Sequence, residues 1–209
     1  MEYYIFVNGY IKDYDIIKNI LKKDSFFIAC DGGLGHLDKL GINPNLLIGD
    51  FDSIDLNILS KYSEVEKLEY PTDKDFTDLE LALEYLKKIK VKSAYILGGT
   101  GGRLDHTLGN IFLLKKFYEY GIELKIIDEI QEIFFIKGSK NFTGYEGKYL
   151  SIIPLEDIVC HSSFGLKYQL ENLSFTLGDT LSISNIVVDD FVEIKLKKGC
   201  GLVIINKEV

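Results

Sequence analysis

Compact apolar runs punctuate the first half of the chain: YYIFV, FFIAC, LLIG, AYILGG and LKIID, each bounded by Gly, Asp or Asn. Short runs without alternation are what strands buried on both faces require. Longer amphipathic stretches lie between them. The clearest covers residues 78–90, where Leu79, Ala82, Leu83, Leu86 and Ile89 fall on one helical stripe while Glu84, Lys87, Lys88 and Lys90 point elsewhere. A second helix is expected over roughly 106–120, with Leu108, Ile111, Phe112 and Lys115 marking one side and Gly121 as its stop. A short helix around 55–61 would take Asp52 or Ser53 as its N-cap. Strand and helix in repeated alternation predict a mainly parallel sheet covered by helices, with right-handed crossovers.

After about residue 128 the texture changes. EIFFI, KYLSIIPL, LKYQL, LSISNIVV, FVEIKL and GLVIIN alternate or are β-branched, and Gly, Asn and Asp turns separate them. The expected architecture is therefore an α/β N-terminal domain over residues 1–128 and a smaller all-β, sandwich-like C-terminal domain over 129–209. So small a β domain is expected to pack against the first domain or against a second copy of the chain.

Composition narrows the class. The 209 residues are 46% hydrophobic and 27% charged, the balance of an ordinary globular protein. A net charge of −8 argues against a general nucleic-acid binder, which would cluster Lys and Arg against phosphates. Cys30, Cys160 and Cys200 lie far apart without metal or disulfide spacing and are expected to be buried thiols. The first twenty residues show no secretory pattern and no apolar stretch is long enough to span a membrane, so a cytoplasmic protein is expected.

In open parallel sheets, ligands bind outside the carboxyl ends of the strands. Asp31 follows FFIAC, Asp50 and Asp52 follow LLIG, and Asp105 comes shortly after AYILGG, so these carboxylates are placed to line one rim. If the strand stays extended, Asp50 and Asp52 share a face. Two carboxylates about 4 Å apart repel by roughly 4 kcal/mol at an effective dielectric near 20. Such a pair wants a counter-cation, and Mg²⁺, bound by one or two carboxylates plus substrate phosphates, is the natural one. The alternative for Asp52 is the helix cap.

PTDKDFTDLELAL offers Thr77 and Glu80 as a capping box, with Asp75 as a rival N-cap. Lys74, between two aspartates ahead of a helix, is placed to meet a phosphate. In GGTGGRLDHTLGN (98–110), glycines permit the close backbone approach that a polyphosphate needs, and the amides add to the positive end of the following helix. Arg103 supplies a planar fork for phosphate oxygens. Asp105 can bind metal or cap the helix. His106 invites a general-base reading, but adjacent helical residues do not face each other, and a plain hydrogen-bonding role is the alternative. The loop is neither a Walker A loop nor a dinucleotide fingerprint. His36 and His161 carry no chemical signature.

CDGGLGHL, INPNLLIGDFDSID, YPTDKDFTDLELAL and LGGTGGRLDHTLGNIFLL, in that order, resemble the successive signatures of the thiamine pyrophosphokinase catalytic domain. YLSIIPL, GLKYQL and LSISN are similar to the family's thiamine-binding domain, so the resemblance spans nearly the whole chain. It implies transfer of diphosphate from ATP to the hydroxyl of thiamine, giving thiamine diphosphate and AMP, with Mg²⁺. It also implies a homodimer, with thiamine held between the α/β domain of one subunit and the β domain of the other. Carried onto this sequence, it implies metal ligation by Asp50, Asp52, Asp75, Asp78 and Asp105. It implies ATP contacts by Asp31, Gly32, Gly33, Thr100, Gly101, Gly102, Arg103 and His106. Lys74 and Arg103 match its phosphate contacts and stand with Asp52 and Asp78 as the catalytic set, either aspartate being able to accept the hydroxyl proton. Ser182, Ser184 and Asn185 fall at its thiamine site, where Ile186 and Val187 follow in place of the aromatic or acidic residue of some members. Two rivals are a metal-dependent phosphoesterase of the Asp-His-His type, although Thr107 stands where its second His would be, and a non-catalytic nucleotide or thiamine diphosphate sensor.

Overall fold

The apolar runs of the first half become parallel strands: β1 (Tyr3–Phe6), β2 (Phe26–Cys30), β3 (Leu46–Gly49), β4 (Glu66–Glu69), β5 (Ser93–Leu97) and β6 (Glu123–Ile127). The computed structural model describes residues 1–207 except Ser53, Thr72 and Lys74. Two compact units divide it, Met1–Glu129 and Ile130–Val209.

In the first unit the strand order is β6-β5-β1-β2-β3-β4, every neighbour parallel. The chain steps from β1 outward to β4 and then returns to the other side of β1 as β5. That reversal leaves a crevice between the carboxyl ends of β1 and β5. Helices α1 (Tyr14–Ile20), α2 (Leu34–Leu40), α3 (Leu56–Lys61), α4 (Asp78–Lys88) and α5 (Leu104–Glu119) make the connections. Tyr4, Phe6, Ile17, Ala29, Leu34, Leu37 and Leu47 are buried in one cluster beneath that rim. Each such apolar side chain contributes roughly 1.5–3 kcal/mol on burial.

Helix starts follow local hydrogen bonding. Asp13 caps α1 by accepting from the amides of Asp15 and Ile16, and Thr77 caps α4 by accepting from Glu80. Asp75 is therefore not the cap. The cap of α3 is Asp55, which accepts from Asn57, and not Asp52; Ser53 lies outside the described residues. In α4 the expected stripe is buried apart from Ile89, which sits at the C-cap and is exposed, while Leu81 joins the buried set. In α5 the buried face is Leu113, Leu114 and Phe117, whereas Leu108 and Phe112 are exposed. The expected side was the wrong one, because this helix is apolar on two sides and its packing against β6 selects between them. Gly121, at φ +78°, ends it as expected.

The second unit is antiparallel β throughout. Its strands are β7 (Gln131–Thr143), β8 (Tyr149–Pro154), β9 (Ile158–Phe164), β10 (Ser174–Phe175), β11 (Asn185–Ile186) and β12 (Phe191–Asn206). FVEIKL and GLVIIN are not two strands but one, β12, interrupted by a register shift between Lys195 and Cys200. The first half of β12 pairs with β7 and β9, the second half with β7 and β8, so the irregularity redirects one long strand between two sets of neighbours. Phe134, Ile136, Leu150, Ile152, Cys160, Val192, Ile194 and Val203 share the enclosed core. LKYQL is not a strand: Leu166 makes an isolated bridge to Val187, and Leu170 is buried from a loop. All three cysteines are buried thiols outside any disulfide. Among the described residues no helix is long and apolar enough to cross a membrane.

Candidate active site

A cleft of about 410 Å³ opens at the crevice between β1 and β5. Its walls come from four chain segments: Val7–Gly9 after β1, Cys30 and Asp31 at the end of β2, the start of α4, and the glycine loop leading into α5.

Asp31 opens a single 3-10 turn, Asp31–Gly33, and sits at φ +45°, a left-handed conformation uncommon outside glycine. Its carboxyl accepts from the Phe51 amide at 3.3 Å and shares a hydrogen bond with Asp78, the first residue of α4. Gly49 makes this arrangement possible. A Cβ there would stand 1.8 Å from the Asp31 Oδ1, and its own φ is +151°. Burial, then the hydrogen bond and charge of Asp78, push the Asp31 carboxyl up to about 7. Two carboxyls in contact must share a proton or a cation. Asp50, half-buried at the end of β3, adds its charge from the side and accepts from the Asp52 amide at 3.1 Å.

The donor set therefore fits a hard divalent cation. Among the described residues no three His, Cys, Asp or Glu side chains close on one point as a protein cage. Mg²⁺ keeps waters and takes one or two carboxylates together with phosphate oxygens, a demand that the Asp31 and Asp78 pair can meet.

Opposite lies the glycine loop, pinned from three sides. Gly9 donates to the Gly98 carbonyl at 2.9 Å, Asn110 Nδ2 donates to the Gly99 carbonyl at 3.0 Å, and the buried Thr100 hydroxyl donates to Asp128 at 2.6 Å. Gly101 and Gly102 leave open backbone on the cleft wall at φ +76° and +104°. The loop delivers the N-terminus of the 16-residue helix α5, whose free amides and dipole favour an anion. Arg103 stands at that end, exposed, and clasps Asp105 in a two-pronged bond of 2.5 and 3.1 Å. That clasp holds the Asp105 carboxyl down at about 2.

The sequence-predicted residues thus separate into groups. Asp31, Asp78, Gly101, Gly102, Arg103 and His106 line the cleft. Asp50 lies beside Asp31, and Gly32 and Gly33 fall outside the lining, in close approach to Asn8 and the Phe6 carbonyl. Asp52 and Asp75 are exposed, Asp105 faces Arg103, and the Thr100 hydroxyl is turned inward to Asp128. Lys74 lies outside the described residues. In the second unit, Ser182 donates to the Ile152 carbonyl at 2.6 Å, and Asn185 binds both the amide and the carbonyl of Tyr168. Ser184 is exposed at φ +59°. Sequence reasoning overlooked Asn8, Gly9, Thr107 and Asn110, all of which line the cleft. The Asn-Gly pair that ends YYIFV is the same strand-end signal that marked the other turns.

A parallel α/β unit with a carboxyl pair facing a glycine loop, an arginine and a helix N-terminus at its switch point defines a phosphate-transferring enzyme class. Residues 17–126 match the family model "Thiamin pyrophosphokinase, catalytic domain", and residues 134–201 match "Thiamin pyrophosphokinase, vitamin B1 binding domain". The chain belongs to the thiamin pyrophosphokinase family. It is 37% identical over 188 residues to the thiamine pyrophosphokinase of Bacillus subtilis, covering 86% of each chain. Thiamin pyrophosphokinase 1 of Caenorhabditis elegans is 30% identical over 194 residues, 85% of this chain and 78% of that one. The crystal structure of the Bacillus subtilis enzyme superposes with a TM-score of 0.89 at 30% identity over the whole of both chains.

Proposed function

We propose that this enzyme binds ATP with Mg²⁺ in the switch-point cleft and transfers the terminal diphosphate to the hydroxyl of thiamine. The thiamine oxygen bonds to the β-phosphorus, the bond from that phosphorus to the α-bridging oxygen breaks, and thiamine diphosphate and AMP leave. The carboxyl pair of Asp31 and Asp78 facing the glycine loop carries the reading, because it joins cation-holding and polyphosphate-holding chemistry in one cleft.

Asp31 and Asp78 would hold the Mg²⁺, with the charge of Asp50 beside them, and the ion when bound would supply neutralisation of phosphate charge. The amides of Gly101 and Gly102 and those at the N-terminus of α5 donate to the phosphate oxygens. Arg103 exchanges its Asp105 partner for those oxygens and stabilises the charge that builds up during transfer. Lys74 is proposed as a second phosphate contact. Asp52 or Asp78 takes the proton released by the hydroxyl. Ser184, exposed near the end of β11, is the proposed polar contact to the aminopyrimidine, with Ser182 and Asn185 shaping its surroundings. The acidic chain attracts the cationic thiazolium. We place the enzyme in the cytoplasm as a homodimer, a state that light scattering measures directly.

Protein mixed with Mg²⁺, ATP and thiamine is expected to release AMP only when thiamine is present. AMP or phosphate release independent of thiamine would overturn diphosphate transfer in favour of hydrolysis. Saturable binding without turnover would leave a sensor.

A further inference from the structure

His36, in α2, stands outside the cleft, yet both of its ring nitrogens are committed. Nε2 lies 2.9 Å from the Gly9 carbonyl and Nδ1 lies 2.8 Å from the Tyr14 hydroxyl. A carbonyl only accepts, so Nε2 carries the proton. In the neutral ring Nδ1 then accepts, and the Tyr14 hydroxyl donates to it. Burial favours the neutral ring: the His36 pKa lies below its ordinary value, lowered chiefly by desolvation and further by Lys39, while the hydrogen bond to the Gly9 carbonyl and the charge of Glu129 act in the opposite sense. The Tyr14 ring is itself placed by the His36 ring at 5.9 Å and by the Lys39 ammonium at 5.3 Å.

Gly9 is the point on which this chain of contacts acts. Its amide donates to the Gly98 carbonyl, and the two backbones are so close that a Cβ on Gly9 would come within 2.0 Å of that oxygen. The Gly9 peptide therefore joins two cleft walls, the turn after β1 and the glycine loop after β5. From these contacts we infer that His36 is a positioning residue for the nucleotide cleft. It fixes the Gly9 peptide, and through it the start of the glycine loop, in the geometry that receives polyphosphate. Tyr14 selects the tautomer that allows it to do so.

The inference rests on the nucleotide reading of the cleft, and the test separates the two. Binding of a non-hydrolysable ATP analogue with Mg²⁺ is measured by calorimetry for wild type, His36→Leu, His36→Gln and Tyr14→Phe, beside KM for each substrate and thermal melts. Loss of one organising hydrogen bond predicts a Kd and an ATP KM raised about tenfold in His36→Leu, with the thiamine KM altered less than about twofold. Gln places an amide N–H near the Nε2 position and should recover analogue binding to within about threefold of wild type. Tyr14→Phe, a milder change that keeps the ring, should weaken the analogue by about threefold. Unchanged analogue affinity in both His36→Leu and Tyr14→Phe would overturn the role of His36, as would equal weakening for thiamine and ATP. Failure of the wild type to bind the analogue would instead remove the nucleotide reading itself.

Discussion

At Asp31 the protein accepts a cost that a proton or a bound cation would relieve. The residue holds a left-handed backbone, stands in contact with Asp78, and has its carboxyl pushed up to about 7. Asparagine tolerates the same backbone region and removes the charge. Asp31→Asn is therefore expected to melt at or above the wild-type temperature in Mg²⁺-free buffer. Its thiamine-dependent AMP release should fall by about a hundredfold or more, the scale of losing a group that positions transferring phosphates. Stability and activity moving in opposite directions distinguishes this role from a structural one. Turnover within about threefold of wild type, measured at saturating substrates, would remove Asp31 from the site.

Among the elements, Asn185 shows how the second unit holds a loop without a strand. It is buried, and its amide clamps Tyr168 by accepting from the backbone N–H at 3.0 Å and donating to the carbonyl at 2.6 Å. Asn185→Ala leaves both Tyr168 groups without that partner and is expected to cost roughly 2–3 kcal/mol in urea unfolding. Asn185→Asp keeps the acceptor but turns a buried carboxylate oxygen onto the Tyr168 carbonyl, so it should cost at least as much as Asn185→Ala; a clearly smaller loss would show that the donor half of the clamp is not the cause. LKYQL reads as a strand in the sequence because its apolar positions bury, but one isolated bridge and this clamp hold it in place of a ladder. The same distinction governs the rest. Runs such as FFIAC and LLIG announce themselves because parallel strands covered on both faces need uninterrupted apolar residues. The buried side of α5 is not announced, because Leu108 and Phe112 are as apolar as Leu113 and Phe117, and only the packing partner separates them. KKGC looks like a turn because Gly199 does adopt φ +82°, but it serves a bulge within β12. Asp turns at strand ends make the candidate cleft legible. The bidentate partnership of Arg103 with Asp105, and the backbone contacts of His36, depend on distances that spacing does not carry.

For the whole molecule, alkaline pH should weaken the second unit through its buried thiol. Cys160 is buried in the core of the β unit, its Sγ 3.5 Å from the carbonyls of Ser162 and Lys195, and burial pushes its thiol from 9.0 up to about 11. Below 9.0 both folded and unfolded chains keep this proton. Between 9.0 and about 11 the unfolded chain loses it while the folded chain retains it, so stability falls as pH rises through that window. The full window is worth at most roughly 2–3 kcal/mol. The α/β unit holds raised groups of its own, Tyr4, Tyr62 and Tyr85, all lifted by burial from 10.0, and a buried thiol, Cys30. Hydrogen-exchange protection factors in Ile130–Val209 should decline from about pH 9. Cys160→Ala should lower the stability of the β unit by a similar amount at neutral pH and at pH 9, and remove most of its decline beyond. If this variant keeps the wild-type slope between pH 9 and 11, the thiol is not the group responsible.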